Sequence, residues 1–265
     1  MATHAPSDLM PAVFISHGSP MVAIHSGPYQ DALAEFGRSV RPHAIIAISA
    51  HWASGTDIGI TAAEDSMAMH DFGGFPPALY ELTYNAPGSP QLAAQIADLL
   101  HAGGWDAAIT RDRGLDHGVW IPLRLMYPGA DIPVVELSLP LQFSPDELYR
   151  MGKALASLRR EGVLIMGSGA IVHNLRLVHF DDVHHPVDPW AAEFDAWFRD
   201  AVQQNKLSDL FDYASNAPHA RLAIPTCEHF APVFVVLGAG GNRGVSTIYE
   251  GFEHGNISMR SFAIA

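Results

Sequence analysis

The 265-residue chain has one cysteine, few basic residues and no long apolar run. A single thiol, Cys227, excludes an internal disulfide framework and a cysteine-built zinc ribbon, since both need several sulfurs. Lysine and arginine together number 15 against 28 aspartates and glutamates, a formal charge of −13. Binding to nucleic acid calls for a basic stripe along the phosphates; none exists, so no nucleic-acid partner is expected. No stretch reaches the roughly 20 apolar residues of a bilayer-crossing helix, so no membrane partner is expected either. The opening residues, MATHAPSDLMPAVFIS, have no basic segment followed by an apolar one of signal-peptide length. With no call for disulfides, the predicted compartment is cytoplasmic.

What the chain does have is material for a core: 48% of its residues are hydrophobic and only 16% charged, with Gly 23 and Pro 19 marking many tight connections. Short apolar runs at Ala12 to Ile15, Ala44 to Ser49, Ile132 to Leu137 and Val163 to Ser168 read as buried strands. Between them lie helical patterns: Asp31 to Val40, a helix opened by Ser89-Pro90 and closed by Gly103-Gly104, and one opened by the capping box Ser144 to Glu147. Another begins at Asp188-Pro189, with Trp190, Phe194, Trp197, Phe198 and Val202 on one face. APVFVVLGA suits helix or strand equally, and strands are expected near Val245 to Tyr249 and Ile257 to Ile264. Apolar strands alternating with amphipathic helices predict an α/β fold: one domain over 1–265, with a mostly parallel central sheet flanked by helices on both faces. Residues 1–11 are expected to form a disordered leader. The stretch Glu64 to Gly88 lacks periodicity but is rich in aromatics, which predicts an ordered functional loop.

Five histidines stand at the ends of apolar runs or in Gly- or Pro-flanked turns: His17, His51, His117, His173 and His229. A strand that ends in histidine delivers an imidazole to the rim of the sheet, where open α/β sheets build their sites. The expectation is one shared metal ion. His17 and His51 are its firmest candidates. Glu228-His229 offers a third ligand: a carboxylate would complete the 2-His-1-carboxylate face of Fe(II) oxygenases, and a third imidazole would suit zinc-bound water. Adjacent side chains diverge by about 100° on a helix and 180° on a strand, so only one of the two is expected on the metal. His117 and His173 would then serve as proton carriers, since imidazole titrates near neutrality. Other signals carry little. Gly167-Ser168-Gly169 is not a nucleophile elbow, LGAGGNRG lacks dinucleotide-binding spacing, and His4, His43, His101 and His254 have no partner pattern. Cys227 is expected to be a small buried residue near the site.

In this order HGSP, SAHW, DFGGFPPALYELTYNAPGSP, DHGVWIPL, GSGAIVHN and EHFAP resemble the class III extradiol ring-cleavage dioxygenases of the LigB superfamily, specifically the DOPA 4,5-dioxygenase-like branch. The resemblance runs from Ala12 to the C-terminus. It departs from the pattern at His70, where an aromatic is expected, and at Cys227, where proline is expected. It implies that His17 and His51 bind metal, and that Glu228 matches the superfamily glutamate while His229 matches the histidine of the DOPA-like branch. His117 and His173 become acid and base, and His173 also approaches the ion in zinc-loaded members. The implied cofactor is one Fe(II) or Zn(II) per chain. The implied partners are O2 and a small catechol such as 4,5-DOPA, opened to a semialdehyde; the resemblance leaves the oligomeric state open. His70, Arg124, Arg176 and His219 are the candidates to contact the substrate, the last three through a carboxylate. A zinc hydrolase and a non-catalytic metal-binding relative are the alternatives, though a scaffold has no need of two spare bases.

Overall fold

The computed structural model describes residues 9–265. Eight strands form one sheet: Ala12–Ser16 (β1), Ala44–Ser54 (β2), Ile58–Thr61 (β3), Ala107–Thr110 (β4), Val134–Pro140 (β5), Val163–Gly169 (β6), Val245–Tyr249 (β7) and Ser261–Ile264 (β8). Their order is β4-β3-β5-β2-β6-β1-β8-β7. The four central strands, β5-β2-β6-β1, are all parallel. β3 meets β5 antiparallel and carries β4 parallel to itself, while β8 and β7 close the other edge antiparallel.

Strands that are apolar on both faces need cover on both, and six main helices supply it: Pro28–Ser39 (α1), Pro90–Ala102 (α2), His117–Met126 (α3), Pro145–Leu155 (α4), Pro189–Gln203 (α5) and Pro232–Gly240 (α6). Successive strand side chains alternate faces. Phe14, Ile46, Ile48 and Ile165 therefore enter the core shared with α2, α4, α5 and α6. Val13, Ile15, Ile45, Leu164 and Met166 enter the one shared with α1 and α3. Ser89 and Ser144 cap α2 and α4 as their sequences predict, the latter with the reciprocal bond to Glu147. Asp188 precedes α5 but makes no side-chain cap.

Several local expectations change. APVFVVLGA is helical, and since it is buried all round it shows no amphipathic stripe to read. The run Ile257 to Ile264 splits, its first residues pairing with Phe252–Glu253 and only Ser261–Ile264 joining the sheet. The short strands β3 and β4, the two outermost on one side of the sheet, and the helix α3, which contains Pro122, show no signal in the pattern. Of the expected leader, 1–8 lie outside the described residues. Met10 is anchored: its N–H donates to the Arg159 carbonyl at 3.0 Å and its own carbonyl accepts from Arg159 Nε. No described helix is long and apolar enough to cross a membrane.

Candidate active site

The parallel strands all point their C-terminal ends at one rim, and the histidines collect there. His17 follows directly on β1, where Gly18 turns the chain at φ 60° and the His17 N–H donates to the Gly169 carbonyl at 3.1 Å. His51 lies where the β2–β5 ladder loses register, between Ile48 and Ala53; such a bulge re-aims side chains. Its backbone N–H donates to Ser49 Oγ, which in turn donates to the buried Asp116 at 2.8 Å. His229 sits in the turn before α6 and its carbonyl accepts from Ala170 N at 2.9 Å. Only glycine at 169 permits this approach, because a Cβ there would stand 2.0 Å from the His229 carbonyl oxygen. His17, His51 and His229 each offer a ring nitrogen, and the three nitrogens lie within 4.8 Å of one another.

The surroundings fix which nitrogen of His17 faces inward. Proline at 122 has no N–H for the helical bond to the Gly118 carbonyl four residues back. That carbonyl instead accepts from the Ser168 hydroxyl. With its one proton so used, Ser168 Oγ can only accept from His17 Nδ1, at 2.9 Å. The His17 Nε2 is therefore the bare nitrogen, and it stands 3.1 Å from His51 Nε2. A lone pair held by a hydrogen bond at the far side of the ring is the usual dress of a metal-bound imidazole. Burial, and then the charge of His51, hold His17 well below the ordinary histidine range. Burial and His117 bring His51 to about 2. These imidazoles are neutral at physiological pH, the state that binds cations. Ser168, fully buried and hydrogen-bonded on both sides, has no nucleophilic role.

Glu228 stands behind His229, grouped with His173 rather than with the ring nitrogens of His17 and His51. Its Oε1 accepts from His229 Nδ1 at 3.2 Å and from Thr226 Oγ1 at 2.7 Å. The His229 bond, outweighing burial, lowers its carboxyl to about 2. His173, beyond the end of β6, stacks on His229 with ring centroids 3.6 Å apart. Burial and then His229 depress it to about 3, leaving it a free lone pair. His117 opens α3 with its ring 4.0 Å from that of His51. Asp71, unremarked in the sequence, holds it: one carboxylate oxygen accepts from both the His117 N–H and Nδ1, at 2.9 and 3.0 Å. Burial works to raise the Asp71 carboxyl, and the His117 bonds override it and lower the pKa.

Two consequences follow for variants. Gly118 faces the centre, and a Cβ there would lie 2.5 Å from Ser49 Oγ and 3.1 Å from both His17 Nδ1 and His51 Cδ2. Gly118→Ala is expected to cost about 1–3 kcal/mol, as overpacking does, and to weaken metal binding, measured by thermal denaturation and metal titration. Asp71→Asn keeps one acceptor but loses the charge that steadies the His117 proton. Turnover is expected to fall at least about tenfold, part of the 10²–10⁴ that acid–base help contributes, with metal content unchanged.

The five rings line a cavity of about 230 Å³ whose walls include Phe72, Phe75, Leu175, Val178 and Phe180. Phe72 and Phe75 come from the expected ordered loop, where Phe72 packs against Tyr80 and the His117 ring. None of the proposed substrate contacts is among the residues that line this cavity. His70 bonds the Leu82 carbonyl at 3.1 Å and packs beside Phe72 and Trp120. Arg124 reaches the Ala23 carbonyl, and His219 pairs with Glu193 at 2.9 Å on the surface. Arg176 is exposed and follows Leu175, which lines the cavity. Cys227 is exposed, not buried, because the turn before α6 presents it to solvent. His254, set aside in the sequence, does line the cavity; its backbone holds φ 54° and its Nδ1 bonds the His179 carbonyl at 3.0 Å.

The model of a family described as the catalytic LigB subunit of aromatic ring-opening dioxygenase matches residues 11–263. The 4,5-DOPA dioxygenase extradiol of Beta vulgaris is 41% identical over 255 residues, 94% of each chain. That of Escherichia coli (strain K12) is 40% identical over 270 residues, 97% of this chain and 96% of its own. The crystal structure of an uncharacterized protein from Escherichia coli K12 superposes with a TM-score of 0.83 at 35% identity, covering 97% of this chain and 100% of that one.

Proposed function

From the premise that the chain belongs to the LigB family and is an extradiol ring-cleaving dioxygenase, dependent on a non-haem metal, we propose that it opens a catechol such as 4,5-DOPA at a single ion held by His17, His51 and His229. The observation that carries this reading is the convergence of three imidazoles, two of them held neutral by burial and one with its tautomer set by Ser168. Zinc has no redox chemistry, so Fe(II) is the working ion and zinc a competitor for the same nitrogens. When bound, the metal acidifies the catechol hydroxyls and brings dioxygen and ring together.

The protein's own groups do the rest. His173 accepts a hydroxyl proton as the catechol enters, and the negative charge so formed stabilises its imidazolium. His117, oriented by Asp71, returns a proton when the oxygen–oxygen bond breaks, and the product is a ring-opened semialdehyde. Phe72 and Phe75 exclude water from the ring. Glu228 orients His229 and makes it a stronger donor. The site resides in one cytoplasmic polypeptide spanning a single catalytic domain. Anaerobic reconstitution with Fe(II), followed by a catechol panel at an oxygen electrode, tests the reading. Oxygen uptake that follows catechol is expected, and zinc-loaded protein should show none. Absence of uptake with every catechol would remove it.

A further inference from the structure

We infer that His254 recognises the amino group on the catechol's arm, accepting a hydrogen bond from its ammonium, an inference that rests on the ring-opening reading. The residue lines the same cavity as the five imidazoles, together with Val178, Phe180 and Ile257. Its Nδ1 stands 3.0 Å from the His179 carbonyl oxygen. A carbonyl only accepts, so Nδ1 carries the proton, and in the neutral ring Nε2 is left as a bare acceptor on the opposite edge. The main chain of His254 is engaged too: its N–H donates to the Val183 carbonyl at 2.9 Å, and its carbonyl accepts from the His179 N–H at 3.1 Å. Only Nε2 remains for a ligand.

The backbone that presents this ring is strained. His254 holds φ 54°, in the left-handed region that glycine occupies freely and a histidine does not. Such positions cluster at ligand clamps and active sites. Gly255 follows at φ 83°, and a Cβ there would stand 2.9 Å from His179 Cδ2 and 3.0 Å from His185 Nδ1. Those two rings stack 3.5 Å apart, so the hairpin tip is wedged against a packed pair and holds His254 in one place. The surroundings suit a cation. The Phe180 ring centroid lies 6.3 Å from that of His254, and an aromatic ring attracts an ammonium. No lysine or arginine is among the described residues lining the cavity, and the formal charge of −13 favours the approach of positive charge. Ser19, also in the lining, suits the carboxylate of an amino-acid arm: its Oγ accepts from the Met21 N–H at 3.3 Å, which leaves the hydroxyl proton to donate. Phe180 is 69% exposed, so the mouth is open and the ammonium keeps the rest of its hydration there.

The experiment crosses His254→Gly with three catechols. L-DOPA carries both charged groups, dopamine keeps the ammonium and lacks the carboxylate, and 3-(3,4-dihydroxyphenyl)propionate keeps the carboxylate and lacks the ammonium. Glycine suits the left-handed backbone and retains both main-chain bonds, so the fold is expected to survive. Oxygen uptake by the iron-loaded protein gives kcat/KM, and calorimetry on the zinc-loaded protein without oxygen gives Kd. By both measures the variant is expected to lose about tenfold on L-DOPA and dopamine, the scale of one hydrogen bond to a charged group, and to leave the propionate unchanged. His254→Asn, which also tolerates this backbone and is too short to replace Nε2, is expected to give the same split. Equal loss on all three catechols shows a structural role only and overturns the inference. So does L-DOPA unchanged in the variants. If no catechol consumes oxygen, the ring-opening reading fails, and the calorimetric split still decides whether His254 meets the ammonium.

Discussion

Alanine in place of His229 is expected to abolish retention of iron, whereas Glu228→Gln is expected to weaken it roughly 10–100-fold, the usual effect of losing a partner behind a ligand. The two residues are neighbours in sequence but not in role. The His229 ring nitrogen joins those of His17 and His51 within 4.8 Å, and the Glu228 carboxylate groups instead with His229 and His173. Removing the imidazole leaves two ligands, too few to hold an ion against water. Removing only the charge of Glu228 leaves an amide oxygen that still accepts from His229 Nδ1, so orientation survives while donor strength falls. Metal content after dialysis, measured on both variants, separates the roles. Iron kept by His229→Ala and lost by Glu228→Gln would reverse the assignment.

The second large effect belongs to His173. Its replacement by alanine is expected to lower turnover by about 10²–10⁴, the contribution typical of a positioned proton acceptor, with little change in catechol binding. The ring is neutral, its pKa brought to about 3 by burial and by His229, so its lone pair is available without prior loss of a proton. Binding of catechol to the ion does not need this group, which is why kcat and Kd should separate. The check is kcat from oxygen uptake beside Kd from calorimetry on zinc-loaded protein. Unchanged turnover would remove His173 from the proton path.

The site was more legible in the sequence than the walls around it. His17, His51, His117, His173 and His229 announced themselves because each follows an apolar run or a glycine turn, and a parallel sheet sends all such ends to one rim. The choice between Glu228 and His229 was not legible, since it depends on the rotation of one turn before α6. Asp71 escaped because it opens an irregular loop with no period to read, and its partner is 46 residues away. His254 escaped for a similar reason: it reaches the cavity through a left-handed backbone position at a tight hairpin. The helix α3 was hidden by Pro122, the same residue that frees the Gly118 carbonyl for Ser168. Candidate substrate contacts chosen by charge alone, Arg124, Arg176 and His219, are not among the residues lining the cavity, because nothing in local sequence encodes such distances. The central strands were read correctly because burial on both faces leaves an unbroken apolar run, while the short outer strands β3 and β4 carry only four residues each.

The central claim is that one ion sits among three imidazoles with the carboxylate held behind them. Anomalous diffraction at the iron edge, from crystals loaded with Fe(II) without oxygen, measures this directly. The account predicts a single peak about 2.0–2.2 Å from a ring nitrogen of each of His17, His51 and His229, the range for imidazole on such an ion, with Glu228 bound only to His229 and Thr226. A peak ligated by a Glu228 oxygen, or one lying away from His17 and His51, would contradict it.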